Sequence, residues 1–198
     1  MKVIVISIMY NTFPEIIGSM MNQTHQDWEL LIIHDGPSKL NMPKIIEGIN
    51  DPRIRYMDTP ERVGNWGYSH RAWALNELKE GRLSDADFVL ITNADNHHVP
   101  IYLEFLLEPF KNNPIIVGTY CSHMVHTWHN NPSTAMECWL AEGRIDCAGA
   151  IVRREAAVNL GWRNLESPVA DWLYYNDIIS IYGEDKFTKV NGCLLIHN

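Results

Sequence analysis

Short apolar runs, alternating along the chain with stretches of helical spacing, are the feature that most restricts what this sequence can fold into. Residues 2–9 form a continuous, largely β-branched run, and WELLIIH at 28–34 repeats it. Unbroken runs of this kind read as strands covered on both faces, the pattern of a parallel sheet. Between them, Phe13 to Asn22 has helical spacing, so the chain opens β-α-β. Pro43–Ile49 fits a short helix and RIRYM, residues 53–57, a third strand. Tyr68, Ala72, Leu75 and Leu78 then share one helix face that ends near Gly81, and ADFVLIT at 86–92 is another buried strand.

The second half continues the alternation. Residues 101–108 read as a helix and 115–120 as extended, whereas 121–146 read as a long loop. CAGAIVRREAAVNLGW supplies a strand, a helix and a Gly161 stop; Trp172, Tyr175, Ile179 and Tyr182 mark a helix face; VNGCLLIH is a last strand. The fold class expected is therefore α/β, with a mainly parallel central sheet and helices on both faces. At 198 residues the chain suits one domain, 1–198, and its 46% hydrophobic content supplies that domain with a core.

A net charge of −8 gives no general attraction to nucleic acid or an anionic membrane, so any phosphate must be held locally. MKVIVISIMY is too short for a transmembrane segment and reaches Asn11 without a small-residue cleavage pattern, so it reads as the first strand. Cys121, Cys138, Cys147 and Cys193 show no Cys-x-x-Cys spacing, which favours reduced core thiols in a cytoplasmic setting.

Ligands of parallel α/β sheets gather at the carboxyl ends of strands. Three polar tips follow strand candidates here: Tyr10-Asn11, His34-Asp35-Gly36, and Asn93-Ala94-Asp95-Asn96 within ITNADNHHVP. Each alone is an ordinary turn sequence. Three on one edge make a site.

In order and spacing, SIMYN (7–11), IIHDGPS (32–38), NWGYSHR (65–71), ITNADNHHVP, CAGAIVRREAAVNLGW and PVADW (168–172) resemble the landmarks of family 2 glycosyltransferases, which have the GT-A fold. The resemblance implies a donor half, 1–100, and an acceptor half, 101–198. It implies that Asp35 holds the nucleotide base, that Tyr10 and Asn11 line the base pocket, and that Asn65, Gly67 and Arg71 approach the phosphates. ITNADNHHVP aligns with the Asp-x-Asp motif, giving Asp95 a divalent cation, Mn²⁺ ahead of Mg²⁺, with Asn93 and Ala94 beside the donor. His197 is the expected further ligand, and His97 and His98 read as loop residues. Asp171 is the expected general base. Asn93 and Ala170 stand where the family carries acids.

His123, His126 and His129 read as loop histidines, and Trp128, with Trp139 nearby, as part of an acceptor-facing flap; Trp172 is a further acceptor candidate. The implied partners are a nucleotide-sugar donor and a glycan or other hydroxyl acceptor. Two alternatives are a non-catalytic nucleotide- or glycan-binding relative and a sugar nucleotidyltransferase. The latter needs a Gly-rich basic loop, and residues 8–20 contain only Gly18 and no Lys or Arg.

Overall fold

The computed structural model describes residues 1–10, 14–126 and 133–197. Its strands are β1 (Val3–Met9), β2 (Trp28–His34), β3 (Ile54–Asp58), β4 (Phe88–Asn93), β5 (His97–His98), β6 (Gly118–Val125), β7 (Thr134–Met136), β8 (Ala150–Arg153) and β9 (Phe187–His197). Its helices are α1 (Glu15–Met21), α2 (Met42–Ile49), α3 (Tyr68–Lys79), α4 (Tyr102–Asn112), α5 (Arg154–Asn159) and α6 (Ala170–Tyr182). The strands form one sheet in the order β3-β2-β1-β4-β8-β6-β9-β5, with β7 pairing β6. β3, β2, β1 and β4 are mutually parallel, β8 is antiparallel to β4 and β6, and β6 is parallel to β9.

The apolar runs follow from this order. Every residue of β1 is buried, because successive side chains enter opposite cores. Ile4, Ile6 and Ile8 join Leu31, Ile33, Val89 and Ile91 in a cluster capped by α3, α5 and α6. Val3, Val5 and Met9 join Leu30, Ile32 and Leu90 in a second cluster capped by α1 and α4. Asn41 caps α2, its side chain accepting from the Lys44 N–H at 3.4 Å, and Asn50 closes that helix in the left-handed conformation at φ 54°.

Three expectations are corrected. Residues 121–146 are not one long loop: β6 continues to Val125, and β7 pairs with its end. His97 and His98 are not loop residues but a two-residue strand, His97 opposite Ile196 and His98 opposite Leu195. The His98 side chain is fully buried, its Nε2 3.2 Å from the Ala148 carbonyl, and burial pushes its pKa down to about 4, so it is a neutral structural imidazole. Cys193 is exposed while the other three thiols are buried; all four are free. Among the described residues no helix is long and apolar enough to cross a membrane.

Candidate active site

The carboxyl ends of β1, β2 and β4 open onto a cavity of about 680 Å³. The wall is completed by the 62–68 segment, Asp146, the start of α6 and the end of β9. Of the residues expected from sequence, Tyr10, Asp35, Asn65, Gly67, Arg71, Asn93, Asp95, Asp171 and His197 line it. Ala94 does not: its side chain is buried in the second core, and its backbone ties the strand tip to neighbours through Ile8 O and the Ile16 N–H. Trp172 packs half-buried against the first core and is not part of the wall. Asn11, Trp128 and His129 lie outside the described residues.

Asp35 is almost fully buried at the tip of β2 and anchors the 62–67 segment. Its carboxylate accepts the N–H groups of Val63 at 2.8 Å and Gly64 at 2.9 Å, and His70 Nε2 lies 2.8 Å away. Burial alone pushes its pKa up; His70 and the two amides outweigh that and hold it below the usual carboxylate value. Arg62 Nε is 3.9 Å from the same carboxylate, with its guanidinium 3.6 Å over the Tyr10 ring.

The anchored segment has an unusual backbone. Gly64, Asn65, Trp66 and Gly67 all have positive φ, at 77°, 44°, 51° and 78°. Two of these are not glycine, each costing on the order of 1 kcal/mol. Asn65 is tied down through its Nδ2, which donates to Ser69 Oγ at 2.9 Å. Gly67 lines the cavity, and the fold also requires its missing side chain, since a Cβ there would collide with Ile8 Cγ2. Gly67→Ala is expected to lower stability by about 2–4 kcal/mol, from overpacking and positive-φ strain together. Urea unfolding checks this, and an unchanged midpoint would contradict it.

Arg71, on α3, is a buried cation at the inner end of the cavity. Its Nη2 donates to Asn93 Oδ1 at 2.7 Å, and Nη1 lies 3.7 Å from Asp171 Oδ1. Asn93 therefore orients Arg71. An acid at 93 would form a full ion pair with Arg71, and the amide avoids that.

Asp171 sits in the first turn of α6 beside the Cys147–Gly149 turn. Its Oδ2 accepts the Cys147 N–H at 3.3 Å. Burial, reinforced by Asp146 and opposed by Arg71 and Cys147, pushes its carboxyl up to about 6. The turn itself is clamped from three sides: Tyr175 donates to Cys147 O at 3.1 Å, Tyr102 donates to Ala148 O at 2.7 Å, and Asp146 Oδ1 accepts the Ala148 N–H at 2.8 Å.

Asp146 is a cavity residue that the sequence did not point to, and so are Arg62, Trp66 and Tyr68. The signal for Asp146 was thin, a capping acid before a tight turn. Its other oxygen, Oδ2, lies 3.8 Å from His197 Nδ1, a buried nitrogen with no hydrogen-bond partner among the described residues. The antiparallel β5–β9 pair carries His197 back past the Asp95 tip, so Asp95, Asp146 and His197 share one wall. Burial raises the Asp95 pKa, an effect His197 opposes.

Two hard carboxylates and an orphaned imidazole nitrogen are a donor set that suits a divalent cation. Among the described residues, the group whose ligand atoms lie within 4.8 Å of one another is Asp146, Cys147 and Asp171. The Cys147 thiol is a poor member of that group, because full burial drives its pKa well up and keeps it protonated.

Residues 3–165 match the family model for glycosyl transferase family 2. No curated protein matches the chain. Among solved structures, S. aureus TarS superposes with a TM-score of 0.74 at 16% identity, covering 100% of this chain and 37% of that one. A mannosyltransferase from Pyrobaculum calidifontis, PcManGT, in complex with GDP-Man and Mn²⁺ gives 0.66 at 15%, covering 99% and 56%. Glucosyl-3-phosphoglycerate synthase from Mycobacterium tuberculosis gives 0.67 at 13%, covering 100% and 72%. At such identities the likeness shows the fold alone, the GT-A arrangement, and the chain spans less than two thirds of TarS and of the mannosyltransferase.

Proposed function

The chain belongs to glycosyl transferase family 2, and we propose that it moves a sugar from a UDP- or GDP-linked donor to a hydroxyl of a glycan or other acceptor, with inversion at the anomeric carbon. The observation that carries this reading is the meeting of Asp35, Asp95 and Asp171 in one cavity, with Arg71 3.7 Å from Asp171.

In this reading Asp35 accepts a base N–H through lone pairs not used by Val63, Gly64 and His70. Tyr10, with Arg62 on its ring, bounds the base. Arg71 balances diphosphate charge from the inner end, while Asn93 keeps its guanidinium oriented. A divalent cation, Mn²⁺ ahead of Mg²⁺ because an imidazole is among the donors, would be held by Asp95, Asp146 and His197 and would offset charge on the departing diphosphate.

Asp171 takes the proton of the acceptor hydroxyl. The oxygen's electron pair forms the new bond to the anomeric carbon from the face opposite the diphosphate. The old carbon–oxygen bond breaks, and the nucleoside diphosphate leaves with that electron pair. A carboxylate of pKa about 6 is ionised at neutral pH yet more basic than an exposed aspartate.

A thermal-shift measurement tests the donor site. A nucleotide at about 100 times its Kd adds about 2.7 kcal/mol, equivalent to about 5–10 °C for a chain of this length. UDP or GDP with Mn²⁺ is expected to give such a shift, and chelation is expected to remove most of it. No shift with either nucleotide would refute the donor site.

A further inference from the structure

The residue presented most openly to the cavity is Trp66. It is 71% exposed and stands on a left-handed backbone at φ 51°. A bulky side chain is held in that conformation only because its flanks are fixed: Asp35 grips the Val63 and Gly64 amides on one side, and Gly67 packs against Ile8 on the other. Its indole is the outer end of an aromatic series leading inward. Trp66 and Tyr68 have ring centroids 5.9 Å apart, Tyr68 stacks on Trp162 at 5.7 Å, and Trp162 stacks on Tyr174 at 5.0 Å. Tyr174 lies on α6, one turn beyond Asp171.

We propose that Trp66 is the platform for the acceptor, and that the acceptor presents a neutral sugar ring to it. This rests on the transferase reading of the same cavity. At the base end the Tyr10 ring is already covered by Arg62, whereas the Trp66 indole is open. A pyranose offers a flat C–H face that packs on an indole and leaves its hydroxyls free to reach Asp171, which lines the same cavity. Charge selects against an anionic acceptor: four carboxylates, Asp35, Asp95, Asp146 and Asp171, face two guanidinium groups. Both cations are engaged, Arg62 with Tyr10 and Arg71 with Asn93.

The test is binding, measured on the full chain by calorimetric titration with UDP or GDP and Mn²⁺ present. The probes are methyl glucoside, methyl galactoside and methyl mannoside, with sorbitol as an open-chain control. For at least one glycoside, Trp66→Ala is expected to weaken binding by about tenfold or more and Trp66→Phe by less than about threefold. Sorbitol is not expected to compete. Three results would overturn the proposal: no glycoside binding by the wild type, glycoside binding unchanged in Trp66→Ala, or a loss of nucleotide affinity in its place. Glycoside binding that depends on Trp66, in a protein no nucleotide stabilises, would count against the donor site and leave this platform standing.

Discussion

Replacing Asp171 with asparagine is expected to lower kcat by about 10²- to 10⁴-fold, the range for removing a positioned general base, with nucleotide affinity unchanged. Asparagine keeps an oxygen to accept the Cys147 N–H, so the turn at 147–149 should hold. The loss should come from proton removal alone. The same residue fixes the pH profile of the wild type. Its carboxyl titrates near 6, raised by burial, and only the ionised form acts as base. Activity should therefore be on a plateau above about pH 7 and fall about tenfold per unit below 6, as expected for loss of one essential base. Initial rates from pH 5 to 8 check this, and an Asp171→Asn enzyme with wild-type kcat would remove the residue from the chemistry.

Asp35→Ala is expected to act on fold and ligand together. It removes the acceptor for two amide N–H groups and the partner of a buried His70. Leaving such donors without partners should cost about 2–4 kcal/mol, lowering the urea midpoint. With its anchor gone, the left-handed segment at 64–67 should relax, and nucleotide affinity should fall by about tenfold or more, at about 1.4 kcal/mol per decade. The pH dependence has a defined sign. The folded pKa of Asp35 is depressed, so its stabilisation is present above the unfolded value of about 3.9 and is lost as the pH falls through the lower folded value. Wild-type stability should drop in that acid range, and Asp35→Ala should lose this part of the drop. A variant with wild-type stability and affinity would refute the anchoring role.

The parallel half of the sheet was legible because both its faces are buried. A strand with two cores must be apolar at every position, and that pattern needs no alignment to see. The tips at Tyr10, Asp35 and Asn93 followed from the rule that parallel strands present their carboxyl ends to ligand. What escaped depends on long-range pairing or on backbone strain. β5 is two residues long, too short for any periodicity, yet it brings the chain end at His197 to the Asp95 wall. Asp146 looks like any turn acid until β9 returns beside it. Nothing in the sequence marked the backbone of Gly64 to Gly67, because propensity carries no signal for consecutive left-handed residues, and so Trp66 looked unremarkable in sequence. Asn93 read as a donor-side residue where the family carries an acid; its amide is turned to Arg71, a partner 22 residues away.

The most direct test of the account is release of UDP or GDP from a panel of nucleotide sugars, with each donor assayed with Mn²⁺ and with chelator. The account predicts that at least one donor is turned over with Mn²⁺, that chelation or Asp95→Ala stops the release, and that Asp171→Asn suppresses transfer while still binding nucleotide. Firm nucleotide binding with no turnover of any donor by the wild type would contradict it and mark the cavity as a binding site without catalysis.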